Sequence, residues 1–448
     1  MLSLLLSAVL SQGQPVLIAD PKNLSKRATI STSADGGQGA LNVHVVPSDT
    51  ALTAFGETRV STPYTLFDMG SGRYGRDSRE VSSIAGDGGT VTDVLRSSGF
   101  TLSVPGGNTA YARARTNTWF RYQAGRGQLV TLSATQDDCP AGQTRRWGYF
   151  DEHDGLYYQV SGGTLSVVRR TSTAESASCT GCHQTDGGTK TLYEQVVTQA
   201  NWNVNTYPSL DWRKGNIWQI EFQWLGVGVV SFYVNGTLVH RMNHPNALAY
   251  PYMRSATLPL SWEVVNTGAA DAGSLTAICA NVTSQSGSTP PQYGYAYARA
   301  AVNVTTADIP LLSLRSTTLL GGADNHITIL PKSVHIEHPE TTGNTTATVS
   351  IWFNPTLTNA TWTVVPNNGS GAELDIGATA QTGGVLLSRY TVAGGTGNTL
   401  DLSPLFGEVA RKLRRSAFTG TSDILTVSVI ISNGTHAITP ELQWTEIK

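Results

Sequence analysis

The feature that most constrains the fold is a strict alternation of apolar and polar side chains in the middle of the chain. Trp218, Ile220 and Phe222 fall on one face of an extended segment, and the residues between them are polar. A second alternating run ends at the dipeptide Asn235-Gly236, which favours the two positive φ angles of a type I′ hairpin. Since period-two alternation is typical of half-buried strands, the pattern predicts three consecutive antiparallel strands.

Similar alternation recurs along the 448 residues, a length that exceeds what one hydrophobic core usually supports. The predicted organisation is an N-terminal arm at 1–50, a jelly-roll-like β-sandwich at 51–275, a linker at 276–310 and a C-terminal β-domain at 311–448. The sequence therefore predicts an all-β protein, in which a jelly-roll-like β-sandwich is followed by a second β-sandwich domain.

One short helix is predicted within the second β-domain. Pro404 suits a first helical position, and apolar residues recur at helical spacing from Leu405 to Leu413. A basic cluster that ends with Arg414 and Arg415 follows, as the helix dipole favours at a C-terminal end. We interpret this cluster as a solvated face rather than as a contact to nucleic acid.

The charge balance narrows the classes of partner. The formal net charge is −2, so no overall positive field would attract nucleic acid or an anionic membrane. The first ten residues are almost wholly apolar, but they lack the basic residues of a secretory signal, and no cleavage site follows them. We interpret them as an apolar arm, and no stretch approaches the roughly 20 apolar residues of a membrane span. Neither a nucleic acid partner nor a membrane span is predicted.

The cysteine motif Cys179-Thr-Gly-Cys182-His183 has three interpretations. It matches the spacing of covalent c-type haem attachment, and it could supply zinc ligands together with a remote Cys or His. Its Ser/Thr/Gly-rich surroundings favour a loop with free thiols or a local disulfide. Cys179, Cys182 and His183 are therefore only weak metal candidates, and no cofactor or metal is predicted.

Two further motifs have structural interpretations. The run from Gly70 to Gly75 has dinucleotide-binding spacing but lacks a following helical pattern, so a turn is favoured. The acidic run from Asp151 to Asp154 could supply an acid/base pair for glycan cleavage, but its place between two apolar runs favours a hairpin turn. With no recognised catalytic motif in the sequence, no catalytic residue is assigned and the chain is predicted not to be an enzyme.

Several ordered blocks resemble a family of virion structural proteins of tailed bacteriophages and other large DNA viruses. The blocks that carry this resemblance are Phe55–Glu57, Arg121–Gln128, Trp147–Asp151, Asn201–Asn203, Phe222–Gly226, Leu258–Leu260, Asn266–Gly268 and Asn354–Trp362. The resemblance implies a non-enzymatic exterior component of the particle, such as a fibre, baseplate or capsid-decoration protein, assembled in the host cytoplasm. It also implies other virion proteins as partners and a homo-oligomer, with a trimer favoured.

The hairpin from Phe232 to His240 resembles those of the jelly-roll sandwiches of lectins and laminin-G modules, which often bind glycans. Among the tryptophans, Trp202 and Trp212 flank predicted loops and are the candidates for exposure, where an indole would contact a host-surface glycan. Trp218 and Trp224 are expected to fill the core. The alternative to the virion hypothesis is therefore a secreted, lectin-like glycan-binding protein.

Overall fold

The computed structural model describes residues 16–20, 23–30, 64–70, 75–173, 182–185, 190–285, 291–341, 344–365, 369–403 and 412–448. Within these ranges the helical segments are two short 3-10 turns, Leu95–Ser97 and Gln199–Asn201, and the other regular elements are strands. The predicted all-β class is confirmed. No helix in the described ranges is long and apolar enough to cross a membrane.

The strands fall into three groups along the chain. An N-terminal antiparallel hairpin consists of β1 (Val16–Asp20) and β2 (Asn23–Ile30). The first sandwich contains β3 (Tyr64–Met69), β4 (Val81–Gly86), β5 (Thr90–Val94), β6 (Gly99–Val104), β7 (Thr109–Thr116), β8 (Gln128–Gln136), β9 (Gln143–Phe150), β10 (Gly155–Ser161), β11 (Thr164–Thr171), β12 (Cys182–Thr185), β13 (Lys190–Thr198), β14 (Asn216–Phe222), β15 (Val229–Val234), β16 (Thr237–Asn243), β17 (Leu260–Thr267) and β18 (Gly273–Ser284).

The second sandwich contains β19 (Gln292–Ala298), β20 (Val302–Val304), β21 (Ile309–Ser316), β22 (Leu319–Leu320), β23 (Ala323–Asp324), β24 (Thr328–His338), β25 (Thr346–Phe353), β26 (Thr356–Thr358), β27 (Trp362–Val364), β28 (Ala372–Asp375), β29 (Ala380–Thr382), β30 (Val385–Ala393), β31 (Thr396–Asp401), β32 (Ile424–Ile431) and β33 (His436–Ile447). Two short ribbons, β22-β23 and β26-β29, pair outside its main sheets.

Two antiparallel sheets form the first sandwich. Sheet I has the order β12-β13-β11-β10-β9-β17-β7-β4, and sheet II has the order β16-β15-β14-β8-β18-β6-β5, with β3 also paired to β18. Large aromatic side chains from both sheets meet between them: the rings of Trp147 and Trp218 lie 5.0 Å apart, and those of Phe100 and Trp262 lie 5.4 Å apart, both pairs edge to face. One aromatic-rich core therefore holds the two sheets together.

The three strands predicted from the alternation are confirmed as β14, β15 and β16. Trp218 is buried in the core, and Asn235 and Gly236 both adopt positive φ angles, of 51° and 77°, at the hairpin. The polar face departs from the simple pattern at Glu221, which is also buried. Its carboxylate accepts hydrogen bonds from the Tyr233 hydroxyl at 3.1 Å and from the Gln285 amide at 2.7 Å, so burial is compensated.

The predicted boundary between the first sandwich and the linker lies inside a strand. Strand β18 continues from Gly273 to Ser284 and pairs with both β8 and β6. Its inward residues Ala277 and Val282 are buried in the first core. The small, polar and proline-bearing run at 284–292, which suggested the linker, begins where this strand of sheet II ends.

Two further sheets form the second sandwich. Sheet III has the order β19-β33-β24-β31 with β20 also paired to β33, and sheet IV has the order β27-β28-β21-β32-β25-β30. The alternating runs of β25 and β32 place Val349, Ile351, Val427 and Val429 in a second core, separate from that of the first sandwich. Alternation therefore predicted these strands as well as it predicted those of sheet II.

The helix prediction is wrong at its C-terminal end. Residues 404–411 lie outside the described ranges, but Leu413 is extended and forms a bridge with Ile329, and Arg415 forms one with Ser422. Leu413 is buried in the second core from this extended conformation. Pairing with β24 therefore overrides the helical spacing of the apolar residues.

The two sandwiches contact each other through polar and aromatic side chains. The Trp119 ring stacks on the His326 ring at 3.7 Å, and burial lowers the pKa of His326 to about 4. Arg414, predicted to be solvated, is only 2 % exposed, because its guanidinium lies 3.7 Å from Glu80 and donates to Thr118 at 2.9 Å. This part of the basic cluster therefore joins the two sandwiches.

Candidate functional site

The two tryptophans predicted to contact glycans lie in different environments. Trp202 is only 4 % exposed, its ring packs in the first core, and its indole nitrogen donates to the Val197 carbonyl at 3.3 Å. Its predicted exposure is therefore wrong: the 3-10 turn before it directs the chain back between the sheets. Trp212 is half-buried and packs against the edge of the same core.

Trp212 lies in an open cleft at one end of the first sandwich, where loops from both sheets meet. We call this the loop-end cleft; it has a volume of about 390 Å³ and is lined by Asp137, Asp138, Cys139, Pro140, Gly163, Trp212, Asp271 and Ala272. The lining comes from the β8–β9, β10–β11 and β17–β18 connections and from the loop before β14. Binding residues are commonly placed on loops that a rigid scaffold supports.

Buried polar side chains hold the acidic walls of the loop-end cleft. The fully buried Arg145 guanidinium donates to the backbone carbonyls of Asp137 and Asp138, the latter at 2.6 Å. Beside it, the amide of the buried Gln143 donates to the Asp271 carbonyl at 2.7 Å. These hydrogen bonds attach both loops to β9, so the positions of the carboxylates are set by the sheet.

The loop that carries Trp212 is held in a similar way. The Gln136 side chain, at the end of β8, donates to the Trp212 carbonyl at 3.2 Å. Arg213 joins this loop to the opposite wall, because its guanidinium donates to the Asp138 carboxylate at 2.9 Å and to Asp211 at 2.9 Å. The Trp212 ring is therefore supported in the free protein, which lowers the entropy lost when a ligand binds to it.

The loop-end cleft combines an aromatic surface with exposed acceptors. Asp138 has 82 % of its side chain exposed, and Asp271, which also lines the cleft, is exposed as well. A ligand that suits these groups has an apolar face for the indole and hydroxyl groups that donate to carboxylates. A saccharide ring has both properties.

The acidic run from Asp151 to Asp154 forms the turn that was favoured over an acid/base site. Strands β9 and β10 pair up to Phe150 and Gly155, and the Asp151 carboxylate accepts from the backbone amides of His153 and Asp154 at 2.7 and 2.8 Å. Burial raises the pKa of Asp154, whose carboxylate accepts from the Arg254 amide at 2.8 Å. These carboxylates stabilise the turn.

The weak metal candidates are only partly covered by the structure. Cys179 lies outside the described residues, and for Cys182 and His183 only the backbone is described, as the first two residues of β12. Among the described residues, no group of three or more His, Cys, Asp and Glu side chains could hold a metal ion. Cys139 is buried, and burial raises the pKa of its thiol, so it is not activated as a nucleophile.

A charged network on the outer face of sheet I was not predicted from the sequence. Glu263, with 10 % of its side chain exposed, accepts from Arg113 at 2.5 Å and from Arg146 at 2.6 Å. Burial alone would raise the pKa of Glu263, but these two cations outweigh it and lower the pKa to about 2. The alternating arginines of β7, Arg113 and Arg115, are the sequence signal from which this network could have been predicted. Because the carboxylate is paired, we assign the network to stability of the sheet.

Comparison with known proteins identifies no family for this chain. No family model matches the chain, and no curated protein matches it. The sequence resemblance to virion structural proteins therefore stays a prediction.

Several solved structures are similar to about half of the chain. They include an endo-1,3-beta-glucanase from Streptomyces sioyaensis (TM-score 0.35, 13 % identity, 50 % of this chain and 97 % of that one) and an endo-beta-1,4-glucuronan lyase from Trichoderma reesei (0.33, 11 %, 49 % and 95 %). A third is the carbohydrate recognition domain of Emp46p (0.30, 7 %, 49 % and 97 %). At these TM-scores we draw no argument about substrate from the likeness.

The comparisons correct one prediction. The chain was predicted not to be an enzyme, but two of these three similar structures are a glucanase and a lyase. The absence of a recognised catalytic motif therefore does not exclude enzymatic activity in a chain of this architecture. We withdraw the prediction. The lectin-like, jelly-roll part of the fold prediction agrees with the sandwiches observed.

Proposed function

We propose that this protein binds neutral saccharides in the loop-end cleft, as a lectin-like protein. The observation that carries the proposal is the half-buried Trp212 ring, held beside the exposed carboxylates of Asp138 and Asp271. The sugar ring packs on the indole, and its hydroxyl groups donate to the carboxylates. The cationic groups near the cleft, Arg145 and Arg213, already donate to protein oxygens, so the lining offers mainly acceptors.

The test is a glycan array followed by titration calorimetry of the best neutral ligand. We expect Trp212→Ala to weaken binding by roughly 30-fold, because loss of a central aromatic contact typically costs about 2 kcal/mol. The matched control is Trp362→Ala, since Trp362 is another half-buried tryptophan that lies in the second sandwich. An unchanged affinity in Trp212→Ala, with the fold intact by circular dichroism, would contradict the proposal.

The sequence resemblance supports a proposal about where this binding is used. As a component on the exterior of a phage virion, assembled in the host cytoplasm as a homo-oligomer with a trimer favoured, the protein would contact glycans of the host surface. Mass spectrometry of purified particles must then detect the chain, and light scattering must give a mass above that of one chain. A monomer that is absent from the particles would overturn this part of the proposal.

A further inference from the structure

A second cleft lies in the first sandwich, outside the loop-end cleft. We call it the edge cleft; it has a volume of about 400 Å³ and is lined by Arg169, Gln195, Val197, Asn203, His240, Arg241, Met242, Asn243, His244, Ala247 and Leu248. The lining comes from β11 and β13 of sheet I and from β16 of sheet II with the residues that follow it. These strands lie toward one side of both sheets, where the edges of the sandwich approach each other.

The charge of the edge cleft is opposite to that of the loop-end cleft. Two arginines line it, and none of the lining residues that the structure describes is an aspartate or a glutamate. Arg169 is only 2 % exposed, and its guanidinium is held by hydrogen bonds to the Gln195 side chain at 3.1 Å and to the Tyr252 carbonyl at 2.9 Å. A guanidinium fixed in this way is a preorganised partner for an anionic group.

Two buried imidazoles add directional hydrogen-bonding groups. The His240 Nδ1 atom accepts the Asn203 amide at 3.2 Å, so the proton of the neutral ring is on Nε2. The His244 ring is placed the other way: its Nδ1 atom lies 2.8 Å from the Gly228 carbonyl and must donate to it. The Nε2 atom of His244 is then a buried acceptor, and it has no hydrogen-bond partner.

Burial keeps both imidazoles neutral at pH 7. It lowers the pKa of His240, and it lowers the pKa of His244 to about 4. The groups that face His244 are the Tyr252 ring, stacked at 4.2 Å, the Gly228 carbonyl and the Arg169 cation, which also disfavours protonation. An unprotonated Nε2 atom repels a bare anion oxygen, so a ligand must bring a hydroxyl donor as well as a negative charge.

We propose that the edge cleft binds a hexuronate, a sugar that carries a carboxylate and several hydroxyl groups. The carboxylate pairs with the arginines, a hydroxyl group donates to His244 Nε2, and the Asn243 and Gln195 side-chain amides suit the remaining hydroxyl groups. A plain anion such as sulfate satisfies the arginines but leaves Nε2 without a donor. The inference is independent of the proposed function, because it uses a different cleft and a different charge.

The experiment is titration calorimetry of the full chain with disaccharides of glucuronate, galacturonate, mannuronate and iduronate. Each is compared with its methyl ester, which keeps the hydroxyl groups and removes the charge. We expect at least one acid to bind at least tenfold more tightly than its ester. The inference is overturned if every acid binds no more tightly than its ester, or if inorganic sulfate competes with the bound acid at equal concentration.

Substitutions at the two clefts then test which of them binds the acid. Arg241→Gln should lower the affinity for the acid at least tenfold. Arg213→Gln, a matched arginine change at the loop-end cleft, should leave this affinity unchanged. His244→Asn keeps a donor for the Gly228 carbonyl and removes the Nε2 acceptor. It should lower the affinity for the acid about fivefold without unfolding the protein. Full affinity in both Arg241→Gln and His244→Asn would overturn the assignment of the cleft. Trp212→Ala should weaken only the binding of the neutral saccharide, which separates failure of this inference from failure of the proposed function.

Discussion

The two clefts of the first sandwich use the same scaffold to present opposite chemistry. The loop-end cleft places carboxylates around Trp212, whereas the edge cleft places Arg169 and Arg241 around two neutral imidazoles. In both, the groups are held by side chains of the strands, such as the buried Arg145 in the first and the half-buried Gln195 in the second. The sign of the charge in each cleft is therefore set by the side chains that line it, although the net charge of the whole chain is only −2.

The largest expected effect comes from a change outside both clefts. Glu263→Gln leaves Arg113 and Arg146 without their shared carboxylate on the outer face of sheet I. Breaking such a buried pair typically costs about 3 kcal/mol, which chemical denaturation would measure as a lower free energy of unfolding. Saccharide affinity at both clefts should stay unchanged under native conditions. Altered affinity with unaltered stability would contradict the assignment of this network to the fold.

The stabilising effect of Glu263 also has a predicted pH dependence. Its pKa is lowered to about 2 in the folded protein, against roughly 4.3 for an ordinary glutamate. The contribution is therefore present above about pH 4.3 and is lost as the pH falls toward 2. Glu263→Gln should show a correspondingly flatter acid limb in denaturation curves.

A smaller effect is expected in the pH dependence of the free energy of unfolding, to which the edge cleft contributes through His244. Because the folded pKa of His244 is about 4, the unfolded chain binds a proton at His244 below about pH 6.5 while the folded chain does not. The free energy of unfolding should therefore fall between pH 6.5 and 4, by about 2 kcal/mol more in the wild type than in His244→Asn. None of the described residues that line the loop-end cleft is a histidine, so Trp212→Ala should keep the wild-type pH profile. Identical profiles in wild type and His244→Asn would contradict the buried, neutral imidazole.

The smallest effect concerns the acceptors of the loop-end cleft. Asp271→Asn removes a charge but keeps a carbonyl oxygen. It should therefore lower the affinity for the neutral saccharide only about fivefold, as expected when one hydrogen bond loses about 1 kcal/mol. Ser161→Ala, a change in the neighbouring hairpin, serves as the control. Calorimetry that gave a larger loss for Ser161→Ala than for Asp271→Asn would show that the acceptor is elsewhere.

The strands could be predicted because their signal is local. The alternation around Trp218 and the turn at Asn235-Gly236 lie within one short segment, and the structure confirms both. The C-terminal end of the predicted helix is wrong because the pairing of Leu413 with Ile329 is a contact between segments that are distant in the sequence. Local patterns do not report such contacts.

The positions of the candidate site residues depend still more on contacts between segments that are distant in the sequence. Trp202 and Trp212 lie in the same connection between β13 and β14, yet one fills the core and the other lines a cleft. The edge cleft could not be predicted at all. Arg169 lies in β11 of sheet I and His244 directly follows β16 of sheet II, so only the closure of the sandwich brings them to one cavity.

The central claim is that Trp212 forms the floor of a saccharide site. The most direct measurement is a crystal structure of the protein with the neutral oligosaccharide that binds most tightly on the array. The account predicts a sugar ring packed against the Trp212 indole, with hydroxyl groups within hydrogen-bond distance of Asp138 or Asp271. A sugar bound elsewhere on the molecule, with the Trp212 ring uncovered, would contradict it.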